Sequence, residues 1–312
     1  MTEEWNKDEN RRVNMLVLLT LLSYLIGSVC ASFVKETVVQ LVMIQAFCLA
    51  PGLIALIVFR KDKPFGKAFT ETYRVHRIRI GVILLVALMM LFLMPLLTLI
   101  NLVSQEFTNY VAAEDITDRI KNYPFPVALL CVGIIPAIGE ELTYRGLMYG
   151  HYRKRSALMG ALLTGLIFGL MHGNLNQMTY AFAMGFIFAM VDEATGSTVS
   201  SMVMNALVNC GSVIIIYIIK WSNSAVLDQA VNDTVEMTPQ MFLGYGVVAL
   251  FGTYFAFSIY REISYRCCTE VQIREEVRKP GRMRALGDMF TAPLVVALVV
   301  LVALLVATEL NL

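Results

Sequence analysis

Charged residues are scarce in this chain. Only 16% of its 312 residues are Asp, Glu, Lys or Arg, whereas soluble domains carry about 25%. Hydrophobic residues make up 57% of the chain, and the mean hydropathy is +0.66. This composition excludes an ordinary soluble domain and predicts a polytopic membrane protein. The net charge of +1 gives no indication of nucleic-acid binding.

The six cysteines show neither a disulfide framework nor the spacing of a zinc site. They are Cys30, Cys48, Cys131, Cys210, Cys267 and Cys268. The first four lie in apolar runs, so we interpret them as packing residues. The last two are adjacent in a basic segment, where lipidation beside the membrane is an alternative interpretation.

Two other kinds of pattern are missing. No repeat of 20 to 50 residues is present, and no duplicated half of the kind found in transporters. The stretch before the first apolar run is polar and acid-rich, and no small-residue cleavage site follows that run. We therefore predict that the first run is retained as a membrane span.

Nine apolar runs are candidates for membrane spans, each of which needs about 17 to 25 residues. They lie near 13–34, 37–59, 80–103, 125–149, 157–172, 178–191, 199–219, 241–260 and 290–307. The fifth and sixth are the shortest. We predict an all-α fold, a polytopic transmembrane helix bundle of eight or nine spans with a catalytic core of four helices.

Basic residues occupy every second gap between these runs. They cluster in the N-terminal tail, at 60–79 and 261–284 with seven each, and at 153–155. The alternate gaps hold Lys35, Arg119, Lys121 and Lys220 and the acidic stretches 106–118 and 228–236. By the positive-inside rule the N-terminus is predicted to be cytoplasmic and the C-terminus to lie on the other side. We expect an integral protein of a bacterial cell membrane.

Three charged residues interrupt the fourth apolar run: Glu140, Glu141 and Arg145. Each costs roughly 2.5 to 3.5 kcal/mol at the centre of a bilayer, so a functional site is the first interpretation. Glu141 and Arg145 are four residues apart and can pair on one helix face. Glu140 points about 100° away and has no partner in its own helix, which suits a general base. The alternative is a buried ionic cluster without chemistry.

His172 is the only histidine in an apolar run. It shares a helix face with Thr164 and Phe168. A separate ridge of small residues is suited to close helix contact and comprises Ala161, Gly165, Gly169 and Gly173. Alone, such a histidine is more often a hydrogen-bonded core residue, but beside the glutamate pair a catalytic role is favoured.

Asn205 and Asn209 lie four residues apart in the seventh apolar run. Buried amides can donate hydrogen bonds to a developing oxyanion. They also commonly link membrane helices, which is the alternative interpretation. At about 1.5 Å per residue from the basic side, Glu140, His172 and Asn209 lie roughly 17 to 22 Å deep. Asn205 lies at about 11 Å, so helix tilt is needed to bring it to the others.

These residues resemble three motifs of a known family. Glu-Glu-x-x-x-Arg at 140–145, Phe-x-x-x-His at 168–172 and x-x-x-Asn ending at 209 are similar to motifs of the CAAX protease and bacteriocin-processing (Abi) family. Its members are intramembrane endopeptidases and include the type II CAAX prenyl endopeptidases. The resemblance covers residues 125–220 and implies cleavage near the cytoplasmic side. The implied substrate is a peptide or lipidated peptide: a prenylated protein in eukaryotic members, and unlipidated or unknown peptides in many bacterial ones.

The resemblance also implies a role for each residue. Glu140 activates water, His172 orients that water or protonates the leaving amine, and Asn209 stabilises the oxyanion. Glu141 and Arg145 hold the base, and Phe168 belongs to the second motif. The family usually has histidine where this chain has Asn205. An amide still donates a hydrogen bond, but it carries no proton to transfer.

The family is often described as metalloproteases, but this chain lacks His-Glu-x-x-His, and its motif residues make a poor zinc shell. We therefore predict a hydrolase without metal or cofactor, and zinc is the less favoured alternative. Two other functions stay open, a non-cleaving peptide-binding or immunity protein and, less favoured, a proton-coupled transporter. We divide the chain into N-terminal helices (1–124), a protease-like core (125–220) and C-terminal helices (221–312).

Overall fold

The computed structural model describes residues 5–59, 62–108, 117, 120–222, 238–278 and 280–310. The helices are α1 (Lys7–Ser32), α2 (Thr37–Phe59), α3 (Phe65–Thr72), α4 (Ile80–Gln105), α5 (Phe125–Tyr152), α6 (Ala157–Leu170), α7 (Leu175–Thr195), α8 (Val199–Ser222), α9 (Pro239–Arg266), α10 (Glu270–Arg278), α11 (Arg282–Met289) and α12 (Ala292–Glu309). No strand occurs among the described residues. The all-α prediction is confirmed.

Within the described part of the chain, seven helices are long and apolar enough to cross a membrane: α1, α2, α4, α5, α8, α9 and α12. The predicted fifth and sixth spans are also helices. However, α6 has only 14 residues, and α7 carries Asp192 and Glu193 near its end. The chain is thus an integral membrane protein built as a helix bundle. Much of the acidic stretches 106–118 and 228–236 lies outside the described residues, as do Arg60, Lys61, Arg119 and Lys279.

Helices α6 and α7 form a hairpin at the centre of the bundle. Of the 14 residues of α6, 11 are buried. A side chain on Gly165 would bring its Cβ within 2.9 Å of the Phe186 backbone nitrogen, and one on Gly169 within 2.8 Å of the Met178 carbonyl oxygen. The two backbones therefore touch, as the small-residue ridge predicted.

Gly173 was wrongly assigned to that ridge. Helix α6 ends at Leu170, and Gly173 has a left-handed φ of +72° with no atom near its Cβ position. It reverses the chain between α6 and α7, where a residue with a side chain would be strained.

Two hydrophobic cores flank the hairpin. One joins it to α1, α5 and α12 through side chains such as Leu21, Leu163 and Leu301. The other joins it to α4, α8 and α9 through Phe188 and Met204 among others. Large apolar side chains stay exposed on the outer helices, as expected where lipid surrounds the protein.

Polar contacts fix the two ends of the bundle. At the basic end, Asn14 Nδ2 donates to the Met289 carbonyl oxygen at 2.8 Å, which ties α1 to α11. Arg155 pairs with Asp288 at 2.7 Å and lowers the pKa of that carboxyl. At the opposite end, the Leu175 backbone nitrogen donates to Glu309 Oε1 at 2.7 Å. The α6–α7 turn therefore lies near the C-terminal end of α12.

Helix α5 is not a regular α-helix. Two segments with i→i+5 hydrogen bonds, Leu129–Ile134 and Leu142–Tyr149, enclose an α-helical segment, Ile135–Glu141. The first of these π-helical segments ends at Ile134, two residues before Pro136, and proline typically kinks a helix. Such segments occur frequently at functional sites. Here they lie on both sides of the glutamate pair.

Candidate active site

Glu140 is held from two neighbouring helices. Its Oε2 accepts a hydrogen bond from Asn205 Nδ2 of α8 at 3.0 Å. Its Oε1 accepts one from Gln45 Nε2 of α2 at 3.2 Å. No side chain of α5 bonds it among the described contacts, in agreement with the helix-face analysis. Gln45 was not predicted, although an amide in the otherwise apolar stretch 41–50 is a recognisable signal.

Glu141 forms the predicted pair within its own helix. Arg145 Nη1 donates to Glu141 Oε1 at 3.0 Å, and both side chains are 0% exposed. The guanidinium carbon lies 4.3 Å from the centre of the Phe168 ring and 5.2 Å from that of Phe188. The guanidinium group is therefore covered by aromatic rings of α6 and α7, which attract a cation to their faces.

Asn205 bridges the two carboxylates. Its Nδ2 lies 3.0 Å from Glu140 Oε2 and 2.8 Å from Glu141 Oε1, so each amide hydrogen has an acceptor. Its Oδ1 accepts from Asn209 Nδ2 at 3.0 Å. Residue counting predicted that Asn205 lies at a shallower depth than Glu140, but helix packing brings the two side chains into contact.

His172 lies in the turn that follows α6. Its Nδ1 is 2.8 Å from the Phe168 carbonyl oxygen, and its ring packs edge-on against the Phe168 ring with centroids 4.9 Å apart. A carbonyl oxygen only accepts hydrogen bonds, so this contact places a proton on Nδ1. In a neutral imidazole the other nitrogen, Nε2, is then an acceptor.

Glu140, His172 and Gln45 line two adjoining cavities of about 300 and 580 Å³. Asn205 and Asn209 line the larger one, whose volume is in the usual range for ligand sites, about 300 to 1,000 Å³. The structure thus brings all four predicted catalytic residues to one cavity. Glu141 and Arg145 line neither cavity, and their supporting role stays a prediction.

Asp192, which the sequence did not single out, stabilises the start of α8. The Asp192 carboxylate accepts from the Ser201 backbone nitrogen at 3.0 Å and from the hydroxyls of Ser200 and Ser201 at 2.8 and 2.9 Å. It therefore caps the first turn of α8. Asn205 follows one turn later, so this cap fixes the helix that holds Glu140.

The donor set of this site is poor in metal ligands. No group of three or more His, Cys, Asp or Glu side chains that could hold a metal ion occurs among the described residues. The partners of the two carboxylates are amides and a guanidinium group, which do not serve as typical zinc ligands. Metal-free chemistry stays a prediction.

Residues 122–211 match the family model described as Rce1-like, type II CAAX prenyl endopeptidase. This segment is Rce1-like. It contains all three motifs, so the predicted family is confirmed for this part of the chain. The Rce1-like segment also ends close to the predicted core boundary at 220, whereas Gln45 lies outside it.

A curated protein of Bacillus subtilis (strain 168), named "Putative membrane peptidase YdiL", is 28% identical to this chain over 94 residues. The alignment covers 30% of this chain and 36% of that protein. The chain therefore spans about a third of the length of the curated relative that it matches. No solved structure gave a significant match.

Proposed function

We propose that this protein is an intramembrane endopeptidase that hydrolyses a peptide bond of a membrane-associated or lipidated peptide. The observation that carries the proposal is the cavity shared by Glu140 and His172, two residues of the Rce1-like segment. Asn205 and Asn209 line the same cavity. The N-terminus and the basic loops are proposed to face the cytoplasm of a bacterial cell.

The reaction begins with a water molecule between Glu140 and His172. Glu140 takes one proton from this water, and His172 Nε2 accepts a hydrogen bond from the other. The resulting hydroxide forms a bond to the carbonyl carbon of the substrate. As the C–N bond breaks, the proton on Glu140 passes to the leaving amine, which leaves an acid and an amine as products. The Nδ1–Phe168 contact favours this orienting role for His172.

Asn209 is the proposed oxyanion donor. One of its amide hydrogens bonds Asn205 Oδ1, and an amide nitrogen carries two hydrogens. Both hydrogens of Asn205 have carboxylate acceptors, so Asn205 holds the glutamates in place. An oxyanion donor contributes about 10²- to 10³-fold in kcat.

The larger cavity suits an apolar segment of the substrate. Its wall includes Leu97, Met184, Val208 and Ile215 from three different helices. Such a wall binds aliphatic or aromatic side chains and also lipid chains, so prenylation of the substrate is not required by the chemistry of the cavity. The proposed partners are thus a hydrophobic peptide and membrane lipid.

The proposal is tested with purified protein in liposomes that contain a fluorogenic membrane peptide. We expect cleavage at one bond, identified by mass spectrometry, at the same rate with and without a chelator. Binding of the peptide without cleavage would instead indicate a peptide-binding or immunity protein. Loss of cleavage in chelator, restored by added zinc, would contradict the metal-free mechanism.

Asn205→His tests the departure from the usual family motif. We expect a lower kcat, because a neutral imidazole donates one hydrogen bond where Asn205 donates two, and one buried carboxylate then loses its donor. The rate is measured in the same liposome assay. A gain of rate in this variant would show instead that the asparagine weakens catalysis.

A further inference from the structure

Each oxygen of the Glu140 carboxylate accepts a hydrogen bond from a side-chain amide, and the two amides come from different helices. Asn205 of α8 lies inside the Rce1-like segment, whereas Gln45 of α2 lies outside it. An ionised carboxylate offers about four acceptor sites on its two oxygens. With one amide on each oxygen, acceptor sites remain for a water molecule in the cavity.

We infer that Gln45 is a positioning residue for the hydrolysis proposed above. It holds Glu140 Oε1, so that the carboxylate plane is fixed toward the cavity that His172 also lines. The terminal torsion of a glutamate is broad and roughly two-fold. A hydrogen bond on one oxygen leaves that torsion free to turn, whereas bonds on both oxygens restrict it.

The polar neighbours of Glu140 are unevenly distributed around it. The orientation of its carboxylate therefore depends on Gln45. Asn205 and the Glu141–Arg145 pair lie toward α8 and the hairpin. From α2, the described hydrogen bond to Glu140 is that of Gln45. Without it, Oε1 is free to turn away from the cavity. A misplacement of about 1 Å in a catalytic group costs on the order of 10²-fold in rate.

Gln45 differs in this respect from the other glutamine of its helix. Gln40 Nε2 donates to the Val34 carbonyl oxygen at 2.6 Å, in the turn between α1 and α2. Gln45 lines both cavities, and Gln40 is absent from the walls of both. The hydrogen bond of Gln40 stabilises the turn between α1 and α2, whereas the hydrogen bond of Gln45 holds a side chain that lines the cavity. The N-terminal helices therefore contribute directly to the site.

Gln45→Met tests this inference, because methionine fills a similar volume and lacks the N–H donor. We expect kcat for peptide cleavage to fall by about 10- to 100-fold, with KM within about twofold of wild type. Gln40→Met makes the same chemical change on the same helix and is expected to leave kcat unchanged. Circular dichroism and thermal unfolding in detergent confirm that both variants are folded.

A binding measurement separates positioning from substrate contact. The reporter peptide is titrated onto Glu140→Gln and onto the double variant Glu140→Gln/Gln45→Met, and we expect the same Kd for both. A folded Gln45→Met variant with unchanged kcat would overturn the inference, as would a loss in KM or Kd alone. If wild type itself cleaves no peptide, the proposed function fails, and the positioning role falls with it. Cleavage by wild type with an unaltered Gln45→Met rate removes only the inference.

Discussion

Glu140→Gln is expected to lower kcat for peptide hydrolysis by about 10²- to 10⁴-fold, the range that a general base contributes. Glutamine keeps the shape of the side chain, and its carbonyl oxygen can still accept the hydrogen bond from Asn205. Its amide, however, takes no proton from water. The rate is measured in liposomes per folded molecule, with helical content checked by circular dichroism.

Glu262→Gln provides the matched control for this variant. Glu262 lies on α9 and pairs with Arg266 at 2.6 Å, with its side chain 45% exposed. The same chemical change there is expected to leave the rate of cleavage unaltered. A Glu140→Gln protein that cleaves as fast as this control would rule out Glu140 as the base.

Arg145→Met is expected to have the largest effect on stability. It leaves Glu141 without its charge partner at a position that is 0% exposed, close to a second carboxylate on Glu140. Removing one partner of a buried ion pair typically costs about 3 to 5 kcal/mol of unfolding free energy. The variant is expected to unfold at a much lower temperature or denaturant concentration than wild type, as measured by circular dichroism in detergent.

The chain offers a well-matched comparison for that change. Glu262 and Arg266 have the same spacing of four residues and a comparable contact, but both side chains are about half exposed. Arg266→Met is expected to cost at most about 1 kcal/mol. If both variants lose the same unfolding free energy, burial does not determine the cost of removing the arginine. An Arg145→Met protein as stable as wild type would contradict the supporting role of the pair.

Local geometry made part of the site predictable. Glu141 and Arg145 lie four residues apart on one helix, so their pairing follows from helix periodicity alone. The same periodicity placed Glu140 on another face, where its partners come from other helices. The close contact of α6 with α7 followed from the spacing of Gly165 and Gly169.

Features that depend on packing between helices were not predictable. The rotation and depth of α2 decide that Gln45 reaches Glu140, and its isolated amide alone says nothing about them. Residue counting placed Asn205 at too shallow a depth in the membrane, because it takes no account of helix tilt or of where the helices actually end. Asp192 caps the first turn of α8 only because the turn between α7 and α8 brings the two helix ends together. Gly173 was misassigned since the ridge pattern continues past Leu170, where the helix stops.

The shared role of Glu140 and His172 is tested most directly by a double-mutant cycle on kcat. Glu140→Gln, His172→Gln and the double variant are compared with wild type in the liposome assay. If both side chains act on one water molecule, the double variant is expected to be about as slow as Glu140→Gln alone, because residues that act as a unit are strongly non-additive. Losses that multiply, as they do for independent sites, would show that the two residues do not act on the same water.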